Sequence, residues 1–472
     1  FIGIDTLLLA AMVGLTIGGI RGGFSKATRP IANIDANAYV NSPQQAAIVL
    51  NTPFSFLRTQ GKSTFVDPKY FTASQLDSLY TPIHPAPSAR PMTQKRNVVV
   101  LIVESFGTNW FGAFNDYEGY TPFLDSLIGE SLTFQQSYAN GRKSIDAMPS
   151  ILSSIPMFIE PFFTTNYSLN HVEGLASYLG REGYTSAFFH GAINGSMGFE
   201  GFAATTGYDH YYGRTEYDQD SRFGASKDFD GTWAIWDEPY LQYFALHTAD
   251  LPEPFLATIF TASSHHPFRV PQKYYDSLHV DGHPMRTCIR YTDMARRRYF
   301  ETARRQPWYE NTLFVITADH TSIIEDDYNK TDIGRFRVPI IFYDPSGKLF
   351  QPERRNGIAQ QADIMPTTLS LLGYNHPYFA FGIDLLTTPP EETWSVNFVG
   401  GIYQLEYDHY FLQFDGSNIT AFYDYDADPL LRQNLKDDPS VASTRTFMLN
   451  HLKAIIQSYM QRMIADQMTT EE

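Results

Sequence analysis

Glu104, Asp319 and His320 are two carboxylates and an imidazole, the donor types that a divalent cation takes. Each falls at the end of a hydrophobic run: Asn97 to Glu104 reads NVVVLIVE, and Leu313 to His320 reads LFVITADH. Continuous apolar runs of this length read as strands buried on both faces, which belong to a parallel sheet covered by helices. In such sheets ligands gather outside the carboxyl ends of the strands, so the three residues are expected to converge at one edge.

Ser144 is the candidate nucleophile. It sits in NGRKSIDAMPS, between an irregular stretch and an apolar helix expected to begin near Ala147. A helix N-terminus favours negative charge on an oxygen held there. An ordinary N-cap would place a serine at the same point, and Asp146 reads as a first-turn carboxylate that complements the helix dipole.

The elements that must position these residues alternate along the chain. Strands are expected at 97–104, 185–190, 255–260, 313–317 and 338–343. Helices are expected near 122–130, 172–182, 294–304 and 364–372. Such alternation implies crossover units, hence an α/β fold with a mainly parallel central sheet and helices on both faces. After Gly373, aromatic alternation over Tyr407 to Phe414 and Ile419 to Tyr425 points to a small antiparallel sheet, and residues 441–463 to a closing amphipathic helix.

Four segments follow from this reading: 1–20 an anchor or the end of a transmembrane helix, 21–92 a connector with a short helix near 73–80, 93–390 a catalytic domain, and 391–472 a C-terminal subdomain. With 472 residues, 43% apolar and 15% aromatic, the chain can bury a large core. A net charge of −16 and the lack of a basic stripe exclude a nucleic-acid footprint. The lone Cys288 excludes an internal disulfide and any CxxC site.

Phe1 to Ile20 is apolar apart from Asp5, Thr6 and Thr16, although its clean run from Leu7 is shorter than the ~20 residues that span a bilayer. Gly14, Gly18 and Gly19 suit a membrane helix better than a soluble one. A start at Phe1 rather than Met is expected of a segment cut from a longer precursor. Arg21, Lys26 and Arg29 follow, and the positive-inside rule alone would put that flank in the cytoplasm.

The strings VVLIVESFG, NGRKSIDA, SAFFHG, TGYDHYYG, SSHHPF, ITADH and RVPIIFY together resemble the lipoteichoic acid synthases and their sulfatase-like phosphoglycerol transferase relatives, within the alkaline phosphatase superfamily. The resemblance covers 93 to about 390. It implies an alkaline-phosphatase-like fold and one divalent ion, Mn2+ or Zn2+, held by Glu104, Ser144, Asp319 and His320. It also implies catalytic and substrate-binding roles for His190 and His265, with His266 a neighbour. The implied activity transfers a phosphoglycerol- or phosphoethanolamine-type group from a phospholipid donor to a glycan or lipid acceptor, through a phospho-serine. The implied place is the bacterial inner membrane, held by an N-terminal anchor, with the catalytic domain outside the cytoplasm, in the periplasm.

Two departures bear on the substrate. The family nucleophile is most often threonine, and Ser144 keeps its hydroxyl. The family's aromatic and arginine after FHG are replaced here by AINGSMGFEGF from Ala192, without arginine, so the anion contact would fall to Arg142, Lys143, Arg335 or Arg337. Trp233, Trp236 and Asp237 border the expected site and read as packing.

Other readings stay open. A sulfatase needs a Cys or Ser in a C/S-x-P-x-R string, and Ser144 to Met148 lacks both Pro and Arg. A two-metal phosphatase needs a further Asp and two histidines in motifs absent here. From another class comes a catalytically inactive lipid-binding or sensing protein of the envelope.

Overall fold

The computed structural model describes residues 2–21, 64–87 and 95–470, with a few positions between 36 and 53. Lys26 and Arg29 lie outside the described residues. The chain folds around an eight-stranded sheet of order β5-β4-β6-β2-β7-β8-β3-β9. Its strands are β2 (Asn97–Val103), β3 (Leu132–Tyr138), β4 (Thr185–His190), β5 (His210–Tyr212), β6 (Phe255–Phe260), β7 (Thr312–Ala318), β8 (Ile340–Tyr343) and β9 (Glu353–Gln360). Only β8 runs against its neighbours β7 and β3; every other pairing is parallel.

The reason for a double covering is visible in β2, where all seven residues are buried. Val98, Val100 and Ile102 join one apolar cluster, and Val99, Leu101 and Val103 join another on the opposite face. Side chains alternate along a strand, so a run that is apolar at every position needs a cover on each side. Helices Ser144–Ser153 and Ile364–Leu372 supply one cover through Met148, Ile151 and Leu369. Helices Pro122–Ile128, Asp237–Ala249 and Met285–Ala303 supply the other through Leu124, Leu241 and Ile289. Each such aliphatic side chain contributes about 1.5–3 kcal/mol on burial.

A four-stranded antiparallel meander follows, β11 (Trp394–Val399), β12 (Ile402–Tyr407), β13 (Tyr410–Phe414) and β14 (Ile419–Asp424), and the helix Ala442–Ala465 closes the chain. The run expected over Tyr407 to Phe414 holds the turn of the β12–β13 hairpin, at Asp408 with φ of 53°, followed by β13. Val396, Leu405, Leu412, Leu452 and Ile455 belong to the same apolar cluster as β2's inner face. Residues 64–87 pack along this side. Phe65 lies edge-on to Tyr459, and β1 (Ile83–His84) pairs with β10 (Tyr378–Phe379).

Three expectations shift. The helix after the candidate nucleophile begins at Ser144 itself rather than near Ala147. The helix expected over 294–304 starts nine positions earlier, at Met285. At the amino end, Ile2–Arg21 forms one 20-residue helix. Its window Ile2–Gly19 has a mean hydropathy of 1.8 and is 6% buried, so it is long and apolar enough to cross a membrane.

Candidate active site

β2 and β7 are adjacent and parallel, with Val103 opposite Ala318 in register. Their next residues, Glu104 and Asp319, therefore emerge side by side, both with no solvent exposure. Ligand atoms of Glu104, Asp319 and His320 lie within 4.8 Å of one another. His320 Nε2 stands 3.3 Å from Asp319 Oδ2 and 3.9 Å from Glu104 Oε1.

Ser144 reaches this cluster from the helix on one face of the sheet. Its Oγ donates to Glu104 Oε2 at 3.0 Å and lies 3.5 Å from His320 Nε2. The loop before it is tightly determined. Asp146 Oδ2 accepts the backbone N–H groups of both Arg142 and Lys143 at 3.0 Å. A Cβ on Gly141 would sit 2.2 Å from Asp146 Cβ, so the turn has room for glycine alone. Asp146 thus organises the loop's donors, a more specific task than complementing a dipole. Burial raises its pKa, against the pull of those backbone bonds.

The cluster's electrostatics suit a cation. Burial raises the pKa of Asp319, and the neighbouring Glu104 raises it further. Burial opposes charge on His320, but Asp319 and Glu104 outweigh it and its pKa rises. Asp319 Oδ2 is buried without a hydrogen-bond partner, whereas Oδ1 accepts the amides of Ser105 and His320 at 2.6 and 2.7 Å. Two carboxylates and an imidazole, with one buried oxygen left bare, fit a divalent ion such as Mn2+ or Zn2+.

Three histidines share one tautomer. Nδ1 of His190, His265 and His320 faces the carbonyl of Phe260 (3.1 Å), His266 (2.8 Å) and Thr321 (2.7 Å) respectively. A carbonyl only accepts, so Nδ1 carries the hydrogen, and in the neutral ring Nε2 holds a lone pair. Burial lowers the pKa of His190 to about 4, and its Nε2 is buried without a partner.

A cavity of about 460 Å³ opens onto the cluster. Arg142, Lys143, His265 and His266 supply its cationic and imidazole wall, and Ile145, Met197 and Phe268 its apolar one. Met197 and Phe268 have φ of 60° and 58°, in the left-handed region that bulky residues rarely adopt. His190 does not line the cavity. Its ring is enclosed by Phe199, Trp233 and Phe260, at centroid distances of 5.1, 5.4 and 5.5 Å. Trp233 in turn lies 4.8 Å from the His265 ring, so it bridges the two histidines.

The remaining candidates stand apart. Arg337 donates to the Gln135 carbonyl at 3.0 Å and lies over the Tyr328 ring, away from the cavity lining. Arg335 spends its guanidinium on the carbonyls of Thr331 and Lys330 and on Asp332. Trp236 packs edge-on against Tyr291. Asp237 accepts the amides of Ala262 and Ser263 and pairs with the buried Arg296 at 3.5 Å, which braces the loop carrying His265. Sequence reasoning missed Ser105, whose Oγ donates to Glu104 Oε1 at 2.6 Å, and the apolar wall residues. Ser105 directly follows the candidate ligand Glu104 at a strand end, and that adjacency is the one available signal.

The sulfatase family model matches residues 96–374. A lipoteichoic acid synthase-like protein of Bacillus subtilis, YvgJ, is 26% identical over 319 residues, 63% of this chain and 50% of that protein. The lipoteichoic acid synthase of Staphylococcus aureus is 25% identical over 332 residues, 64% of this chain and 49% of its own. The chain thus spans about half the length of the curated relatives it matches. Among solved structures, an alkaline phosphatase superfamily protein from Vibrio parahaemolyticus superposes with a TM-score of 0.70 at 20% identity, covering 89% of this chain and 98% of that one. The lipoteichoic acid synthase LtaP of Listeria monocytogenes gives 0.65 at 18%, covering 84% and 98%. The fold is alkaline-phosphatase-like.

Proposed function

The chain belongs to the sulfatase family, and from that premise we propose that it is a metal-dependent phosphotransferase or phosphodiesterase of the cell envelope. It moves a phosphoglycerol- or phosphoethanolamine-type group from a phospholipid to a glycan or lipid hydroxyl, or to water. The observation that carries this reading is the bond from Ser144 Oγ to Glu104 Oε2, which joins a hydroxyl nucleophile to the carboxylate cluster.

Glu104, Asp319 and His320, with Ser144 Oγ beside them, would hold one Mn2+ or Zn2+. Such an ion, when bound, supplies Lewis-acid stabilisation of negative oxygen and eases ionisation of a hydroxyl. Ser144 Oγ attacks the diester phosphorus, its proton passes to Glu104 Oε2, and the bond from phosphorus to the lipid alcohol breaks. His265 enters the cycle doubly protonated, its Nδ1–H held by the His266 carbonyl, and gives its Nε2 proton to the departing oxygen. In the second half an acceptor hydroxyl returns a proton to that nitrogen and attacks phosphorus. Ser144 Oγ then leaves and recovers its own proton from Glu104.

Arg142 and Lys143, exposed at the cavity, would neutralise the phosphoryl oxygens. His190, neutral and enclosed by rings, would act on the site through Trp233, which also packs against His265. The helix Ile2–Arg21 would anchor the chain in the inner membrane with the catalytic part in the periplasm, raising the effective concentration of lipid donor. A formylglycine sulfatase is disfavoured, since Ser144 to Met148 lacks the Pro and Arg of its processing signal.

Trapping tests the reading. The protein is incubated with Mn2+ and phosphatidylglycerol or phosphatidylethanolamine, then digested for mass spectrometry. A phosphoglycerol or phosphoethanolamine mass on the Ser144 peptide is expected. No adduct with any phospholipid, together with undiminished turnover in Ser144→Ala, would sink it.

A further inference from the structure

We infer that Gln361 is a positioning residue that sets the separation between the loop carrying Ser144 and the strand end carrying Asp319. The inference rests on the reading above only for what that separation serves. Gln361 is fully buried in the turn after β9, on neither of the elements that carry the site. Its Oε1 accepts the backbone N–H of Asn140 at 3.0 Å. Its Nε2 donates to the carbonyls of Ala318 at 2.7 Å and Asp319 at 2.8 Å.

Both ends of the amide are engaged. A primary amide offers two donors and an acceptor oxygen on one planar fork, and these three bonds use both donors and one lone pair of the oxygen. One end of the fork holds the loop four residues before Ser144, and the other holds the backbone of Asp319 itself. Asn140 is gripped in return. Its Oδ1 accepts Ala362 N at 2.9 Å, and its Nδ2 donates to Gln360 Oε1 and to the Val396 carbonyl at 2.7 and 2.8 Å. Asp146 and Gly141 order the rest of the loop, so a displacement at Asn140 has little slack to absorb it before Ser144.

The consequence is that the 3.0 Å contact between Ser144 and Glu104 depends on a residue that touches neither. Removing the fork leaves the Asn140 N–H and the Asp319 carbonyl buried and unpaired, and the Ala318 carbonyl with only the Thr317 hydroxyl at 3.3 Å, so that both segments are free to move apart. A shift of about 1 Å in a reacting atom costs on the order of 100-fold in rate.

The test compares Gln361→Leu and the near-isosteric Gln361→Glu, which keeps the acceptor and loses both donors, with Thr367→Val. Thr367 accepts the Leu385 amide in the same buried layer at 3.1 Å, away from both segments. Hydrogen exchange is measured on the metal-free full chain, and turnover of a p-nitrophenyl phosphodiester with Mn2+. Both Gln361 variants should lose amide protection in 138–146 and 316–321 together, and kcat should fall ~100-fold with KM held. Thr367→Val at an equal loss of melting temperature should do neither. Retained protection in the two segments, or the same behaviour from Thr367→Val, overturns the inference. In the wild-type protein the Asn140 amide should exchange only with global unfolding; faster local exchange overturns it even where no variant folds. A wild-type protein that turns over no diester, yet shows the predicted exchange, would remove the proposed function and leave the clamp standing.

Discussion

The backbone amide of Ser105 donates to Asp319 Oδ1 at 2.6 Å, tying together two strand ends 214 positions apart in sequence. The amide of His320 takes the same oxygen, so one side of the carboxylate is held by backbone and Oδ2 is left bare.

That bare oxygen is the basis of the first prediction. Mn2+ at 100 times its dissociation constant should stabilise the folded chain by about 2.7 kcal/mol, seen as a raised melting temperature that a chelator reverses. Asp319→Asn should abolish the shift. A full shift in that variant would show that the ion binds elsewhere.

Ser144 donates one hydrogen bond in a buried setting, so its loss should cost little stability and most of the activity. Ser144→Ala is expected to change stability by about 1 kcal/mol and to lower kcat on a diester by ~1000-fold or more. Calorimetry and steady-state kinetics on the same preparation separate the two effects.

Gly141→Ala introduces a Cβ 2.2 Å from Asp146 Cβ, an approach no side chain tolerates. Since Asp146 accepts the amides of Arg142 and Lys143, the loop cannot relax without giving up those bonds. A loss of roughly 1–3 kcal/mol in chemical denaturation is expected, with activity falling further than stability alone explains. Unchanged denaturation midpoints would contradict the tight turn.

The stability of the metal-free chain should depend on pH in part through two buried groups outside the cluster. Burial lowers the pKa of His451 to about 4 and raises that of Glu406 to about 8. Between pH ~4 and ~6.5 the unfolded His451 binds a proton that the folded one refuses, so stability falls on acidification by up to ~1.4 kcal/mol per pH unit. Glu406 acts oppositely. Its folded form keeps a proton that the unfolded one loses above about 4.5, so its contribution is present below that pH and is lost as pH rises toward 8. The two slopes oppose each other near pH 5 to 6, and above ~6.5 the Glu406 loss remains, in the same direction as that of Asp319, whose pKa is also raised. Glu406→Gln should therefore gain on wild type steadily from pH 5 to 8 in denaturation experiments, and a parallel pair of curves would refute the assignment.

How much of this was legible depended on whether burial followed local pattern. The mainly apolar runs of β2, β6 and β7, and the shorter one in β4, stood out because both faces are covered. β9 did not, since ERRNGIAQ is an edge strand with its first five positions at least partly exposed. The first half of the helix Met285–Ala303 was hidden by Arg286, Arg290 and Asp293, although Met285, Cys288, Ile289 and Thr292 keep the spacing of one buried face. The run expected over Tyr407 to Phe414 starts too early, taking in the turn at Asp408 before the strand Tyr410–Phe414, because that turn carries neither Gly nor Pro.

The sequence by itself determined the α/β class, the sulfatase-like resemblance and the chemical types at Glu104, Ser144, Asp319 and His320, because these follow from runs and motifs along one stretch of chain. Tertiary structure alone decided which atoms meet. The register that sets Val103 beside Ala318, the fork of Gln361 between two distant segments, the ring layer over His190 and the withdrawal of Arg337 to the Gln135 carbonyl all depend on contacts between remote segments. Hydrogen bonds and ring contacts act over a few ångströms of space, and position along a chain carries no such distance until the chain has folded.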